Sequence, residues 1–154
     1  LEQYSKNPSI DWIVIFYHRQ AYSSGGGLPD ETGFRKAYHP LFDKYNVDLA
    51  LQGHHHVYER MYPIAFNDDN KNKPIVSEKD KVKNSNVFEN PDGIIFLTVG
   101  TGGAESMTIS KGKPFSAARE DGKFGILNIV VEKNNDNDEN TLIGTLVIIR
   151  ITKF

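Results

Sequence analysis

Gly53-His54-His55-His56-Val57-Tyr58-Glu59-Arg60 is the stretch on which the reading of this chain turns. It follows Val47-Asp48-Leu49-Ala50-Leu51-Gln52, a short apolar run of strand length, and begins on a glycine that permits a sharp exit from that strand. Upstream, Asp11 is followed by Trp12-Ile13-Val14-Ile15-Phe16-Tyr17, a β-branched and aromatic run that reads as a strand buried on both faces. That strand delivers His18 at its C-terminal end. Polar groups at strand ends, on loops above a sheet, are where α/β folds place their sites. Imidazole is a good ligand for zinc, iron and similar metals, so His18, His54 and His56 are the candidate metal ligands. In extended backbone His54 and His56 point to opposite faces. They share one ion only if the turn at Gly53 twists them together; one ion each is the more natural geometry. The bland alternative is a surface loop of histidines. His55 reads as a substrate-facing group or a bystander, and His39 as structural or exposed.

Working outward, Ser23-Ser24-Gly25-Gly26-Gly27-Leu28-Pro29 reads as a flexible loop. Asp30 or Thr32 is placed to cap a helix running to about Tyr45, with Phe34, Tyr38, Leu41 and Phe42 inward and a kink at Pro40. Val57 to Ile64 reads as a third strand. Residues 67–92, rich in Asn, Asp, Lys and Pro, form a long surface insertion. Ile94-Ile95-Phe96-Leu97-Thr98-Val99 is a further buried strand, ending in Gly100-Thr101-Gly102-Gly103. That glycine turn either offers backbone N–H groups to a phosphate or is simply tight. Phe124–Glu132 and Leu142–Ile151 read as an antiparallel pair joined by a polar hairpin loop at 133–141. Leu1 and Tyr4 sit at helical spacing before Asn7-Pro8, as in the last turn of a helix begun upstream.

The 154 residues suffice for one domain with a real core. At 38% hydrophobic and 25% charged, the composition is that of a soluble globular chain. A net charge of −2 gives no reason to expect nucleic acid or an anionic membrane as partner. No apolar run approaches the ~20 residues of a membrane span. With no cysteine, any metal must rest on nitrogen or oxygen ligands. There is no Asn-x-Ser/Thr acceptor to hint at secretion.

The block at 53–60 closely resembles the Gly-His-x-His-x-Tyr-Glu-Arg motif of purple acid phosphatases, in the calcineurin-like metallophosphoesterase superfamily. The approach Phe42-Asp43-Lys44-Tyr45-Asn46 to Gln52 matches as well. Ile15-Phe16-Tyr17-His18-Arg19-Gln20-Ala21-Tyr22-Ser23 is similar to that family's strand-end histidine with its following aromatic. Thr98-Val99-Gly100-Thr101-Gly102-Gly103-Ala104 resembles its late strand and glycine turn, and the likeness runs from about residue 1 to 132.

The resemblance implies an α/β fold, strand-rich, forming the C-terminal half of a metallophosphoesterase αββα sandwich. It implies two metal ions, iron with zinc, manganese or iron, with His18 and His54 on the more exchangeable ion and His56 on the other. Such ions, roughly 3.5–4 Å apart, clamp phosphate oxygens and lower the pKa of a bound water. Tyr58, Glu59 and Arg60 would hold the histidine turn from behind, Arg60 through a salt bridge rather than a phosphate contact. Tyr22 would line the substrate mouth or pack in the core. The implied partners are the N-terminal half of the same domain and a phosphate ester, in an extracytoplasmic setting. The family's N-terminal Asp, its bridging Gly-Asp and its Asn-His motif are not in these residues; Pro91-Asp92-Gly93 reads as a turn. Without the bridging carboxylate two close cations repel, so this chain by itself is expected to be inactive. Two other readings stand beside hydrolysis: a non-catalytic module binding one metal or a protein, and a β-rich carbohydrate-binding or adhesion domain.

Overall fold

Short β-branched runs dictate most of this architecture, because they favour the pleated, half-buried surface of a sheet. The structure, a computed structural model, describes residues 1–25, 31–81, 86–109, 111–133 and 140–149. In chain order the elements are α1 (Glu2–Ser5), β1 (Val14–Tyr17), α2 (Thr32–Lys44), β2 (Leu49–Gln52), β3 (Tyr58–Met61), β4 (Ile64–Ala65), β5 (Ile75–Val76), a 3₁₀ turn (Lys79–Lys81), β6 (Ile95–Val99), β7 (Ser116–Glu120), β8 (Phe124–Lys133) and β9 (Asn140–Ile149). This is a mixed α/β, strand-rich chain with few helices, as expected.

Five strands form the main sheet in the order β1-β2-β6-β3-β7. β1, β2 and β6 run parallel, with Tyr17 beside Gln52 and Gln52 beside Thr98. Their C-terminal ends therefore lie along one edge, so that His18, Gly53 and Gly100 leave the sheet together. β3 lies antiparallel to β6, and β7 antiparallel to β3 with an irregularity between Arg60 and Met61. β2 and β3 are consecutive in sequence but separated in the sheet by β6. The histidine segment must therefore cross over the end of β6.

Tyr22, Phe96, Met61, Ile64, Phe42 and Phe115 make the centre of the core. Tyr22 stacks edge-on against Phe96 and Phe115, arrangements that aromatic quadrupoles favour. The inner stripe of α2 differs from the apolar one expected. Arg35, His39 and Phe42 are its buried residues, while Tyr38 and Leu41 are exposed. Arg35 can be buried because it donates to the carbonyls of Ala21 and Lys71. His39 Nδ1 is hydrogen-bonded to the Tyr22 hydroxyl at 2.7 Å, and its Nε2 lies 3.2 Å from the Asp43 carboxylate. Glu31 occupies the N-cap position without a side-chain cap bond, its carboxylate turned to Arg19; Asp30 lies outside the described residues. Pro40 lies within the helix.

Several other expectations change. β1 is not buried on both faces: Val14 and Phe16 are exposed, Phe16 at 84%. Among the described residues nothing covers that face, and β1 forms an edge of the sheet. The strand foreseen over 57–64 is split at Tyr62-Pro63 into β3 and β4. The insertion at 67–92 contains β5, which pairs with β4, and the 3₁₀ turn. β7, with its Ser-Ala-Ala-Arg-Glu sequence, was not foreseen. β8 and β9 pair antiparallel as expected; 134–139 of their connection and 150–154 lie outside the described residues.

One carboxylate fastens the start of the parallel pair. Asp48 accepts the Ile13 N–H at 2.7 Å. Burial holds the Asp48 carboxyl above its ordinary value of 3.8, against the lowering effect of its backbone hydrogen bonds. The folded state thus binds this proton more tightly than the unfolded state. The group's contribution to stability accordingly falls as pH rises through 3.8. Asp48→Asn keeps an oxygen for Ile13 and should flatten this part of the curve, leaving the chain at least as stable at pH 7. Urea midpoints at pH 4 and pH 7 check this, and a wild-type-shaped pH dependence in the variant would remove the reading.

Candidate metal-binding site

The common strand edge brings His18 and His54 side by side. Their ring centroids are 5.0 Å apart, and His54 Nδ1 lies 3.2 Å from His18 Nε2. Both rings reach the surface. The loops that carry them are tied directly, since the Gly53 N–H donates to the His18 carbonyl at 3.0 Å.

The turn itself is not made as its sequence suggests. His54, not Gly53, adopts the left-handed conformation, with φ of +66°. The His55 N–H then donates to the Gly53 carbonyl, and the Val57 N–H to the His55 carbonyl, in two successive tight turns. The backbone at 54–57 is bent rather than extended, so alternation of faces does not govern how His54 and His56 relate. A Cβ at Gly53 would meet only ordinary contacts, the nearest at 3.4 Å. Gly100 is where a side chain is forbidden. A Cβ there would lie 1.8 Å from the His55 carbonyl oxygen, because the turn passes directly over the end of β6. The glycine after β6 thus serves close backbone approach, and its own N–H donates to the Val57 carbonyl at 2.9 Å.

His56 faces another partner. Its Nδ1 lies 2.8 Å from the Glu105 carbonyl, which can only accept, so Nδ1 carries a hydrogen and Nε2 is the nitrogen left to offer a lone pair when the ring is neutral. Carbonyl-oriented imidazoles of this kind are common among metal ligands. Met107 N–H donates to the His56 carbonyl, fixing the 105–107 segment against the turn.

The remaining candidates point inward. His55 is fully buried, with Nδ1 against the Ser23 hydroxyl, and is turned away from the surface that His18 and His54 reach. Tyr22 is fully buried in the core, the second of its two foreseen places. Tyr58 is part-buried on β3; burial raises its hydroxyl pKa, with the neighbouring Arg60 guanidinium opposing. Arg60 makes no ion pair among the described residues. It donates to Asn86 at 2.8 Å, and its guanidinium carbon lies 5.1 Å from the Phe88 ring centroid. Glu59 is fully buried and accepts the Ser24 N–H at 2.7 Å. Ser23 and Ser24, read from sequence as part of a flexible loop, are buried instead. Their Ser-Gly composition hid this, and a backbone carbonyl partner such as that of Glu105 leaves no trace in sequence at all.

Two nitrogens 3.2 Å apart can hydrogen-bond to each other. They can equally sit on one ion at bond lengths of ~2.0–2.1 Å, subtending roughly 100°. The donor set is imidazole nitrogen, suited to zinc or iron. Among the described residues no group of three His, Asp or Glu side chains is close enough to hold an ion. The residues present therefore fit one side of a metal centre.

A relative from Mycobacterium tuberculosis, an uncharacterized protein, is 32% identical over 67% of this chain. Mouse acid phosphatase type 7 is 29% identical over 90% of it. The solved structure of a purple acid phosphatase from yellow lupin (Lupinus luteus) seeds superposes with a TM-score of 0.62 at 29% identity, covering 79% of this chain and 21% of that one. The chain is purple acid phosphatase-like, matching the C-terminal part of a metallophosphoesterase. It spans 19% of the mycobacterial relative's length and 34% of the mouse enzyme's. No family model matches it. Plant relatives include Arabidopsis thaliana proteins named probable inactive purple acid phosphatases. For this purple acid phosphatase-like chain, no helix among the described residues is long and apolar enough to cross a membrane.

Proposed function

We propose that this chain supplies the histidine side of a dinuclear metal centre in a phosphoric ester hydrolase whose other half lies outside these residues. The observation that carries the reading is the His18–His54 nitrogen pair, 3.2 Å apart at the common edge of three parallel strands. His18 and His54 would hold one ion and His56, through Nε2, the other. Bound metals would supply electrophilic activation of the phosphate and of the attacking water.

The chain's own residues do the positioning. The Glu105 carbonyl fixes the tautomer of His56, and the Gly53 N–H ties the His54 turn to His18. The N-terminal half would bring the carboxylates that neutralise and bridge the ions. It would also cover the face on which Val14 and Phe16 stand exposed. The chain by itself is then not a catalyst. The substrate is a phosphate ester, with the family's usual iron paired with zinc, manganese or iron.

The test is His54→Ala in the longer protein. Removing one ligand should lower hydrolysis of a generic phosphomonoester at least ~100-fold and cost one metal equivalent, since ligand losses act on both affinity and the transition state. Unchanged activity would overturn the proposal. A second reading, a relative that keeps the fold without catalysis, is favoured by the names of the Arabidopsis proteins. A longer protein that binds two metals yet turns over no phosphomonoester would favour it.

A further inference from the structure

A row of buried polar side chains crosses the main sheet just below the histidines. Tyr17 donates to Gln52 at 3.1 Å, and Gln52 donates to Thr98 at 2.9 Å. Glu59 stands beside Thr98 in the antiparallel register. The row does more than satisfy itself, because it grips the chain that follows His18. Gln52 accepts the Ala21 N–H at 2.9 Å and donates to the Tyr22 carbonyl at 2.6 Å. Glu59 accepts the Ser24 N–H, and the Ser23 hydroxyl donates to the same carboxylate oxygen at 3.3 Å. Ser23 Oγ is also hydrogen-bonded to His55 Nδ1, the direction following the His55 tautomer. The Gly25 backbone lies close against the His55 ring, where a Cβ would come within 2.7 Å of Nδ1.

His55 thus lies between the two surface histidines in sequence but points the opposite way, into the sheet. We propose that His55, Ser23 and Glu59 form a buried positioning relay that locks the loop after β1 onto the histidine turn, and so sets the separation of His18 and His54. The inference rests on the ligand assignment above for its functional meaning, though not for its geometry. A carboxylate with no exposure is costly to leave without donors, so the bonds from Ser23 and Ser24 to Glu59 resist being given up. Outer residues of this kind, when removed from metal sites, typically cost 10–100-fold in affinity.

The experiment uses the chain as it is, with Ser23→Ala, His55→Val and the double variant. Imidazole nitrogen spectra of the metal-free chain and Zn²⁺ titration are the two readouts. Each single variant should shift or double the His18 and His54 ring signals while leaving those of His39, in the core, in place. Each should also weaken Zn²⁺ binding about tenfold. Because both variants break one relay, the double variant should lose about tenfold in total, not ~100-fold. Unmoved His18 and His54 signals, or losses that multiply, would overturn the relay. A wild-type chain that binds no Zn²⁺ would count against the ligand assignment alone, and the metal-free ring signals would still decide the relay.

Discussion

Gly100→Ala should displace the histidine turn and destabilise the chain by more than about 3 kcal/mol. Overpacking ordinarily costs ~1–3 kcal/mol, when side chains can yield. Here the obstacle is backbone: the added methyl would stand 1.8 Å from the His55 carbonyl oxygen and 2.6 Å from its carbon. Relief requires lifting residues 55–56 off the end of β6, which breaks the Gly100 N–H bond to Val57 and separates the turn from the strand. Gly102→Ala, two residues on, is the matched control. A Cβ there meets nothing within 4 Å, so its effect should stay within about 0.5 kcal/mol. Urea unfolding of both variants separates the cases, and a Gly100→Ala midpoint equal to that of Gly102→Ala would refute the account.

Arg35→Ala should be nearly as damaging, at about 2–5 kcal/mol. The guanidinium donates twice to the Ala21 carbonyl, at 3.0 and 2.7 Å, and once to the Lys71 carbonyl at 2.9 Å. Its carbon lies 4.1 Å from the Tyr22 ring centroid. Truncation would leave buried acceptors without donors and a void beside Tyr22. Arg35→Lys should recover little, because an ammonium cannot reproduce a planar fork that spans two carbonyls while stacking on a ring. Denaturant titration of the two variants measures both effects. An Arg35→Lys chain as stable as wild type would show that charge, not the fork, is what matters. Since Ala21 lies three residues past His18, Arg35→Ala should also loosen the site.

The strands that carry the site were legible because they are short, largely apolar and end at polar or glycine residues. Their order was not. β6 inserts between β2 and β3, and no local pattern announces that the histidine turn must vault a strand. β7 escaped because Ser116-Ala117-Ala118-Arg119-Glu120 has neither branched nor aromatic residues; its place comes from pairing with β3. The face of α2 was misjudged for a related reason. Arg35 and His39 look like solvent residues until their tertiary partners are known. At the site, residue types pointed to His18, His54 and His56, and the resemblance paired His18 with His54. What sequence concealed was which histidine turns inward, and that glycine matters at 100 more than at 53.

His54 marks a place where robustness and chemistry pull in different directions. Its left-handed backbone carries a cost of roughly 1 kcal/mol that glycine would escape, and asparagine in part. Any effort to harden this scaffold by relieving unfavourable dihedrals would therefore select position 54 early. Doing so would erase the imidazole nitrogen that meets His18. Thermostabilising libraries of this protein and its relatives are best built with that codon held fixed, and gains sought on the outer face of α2.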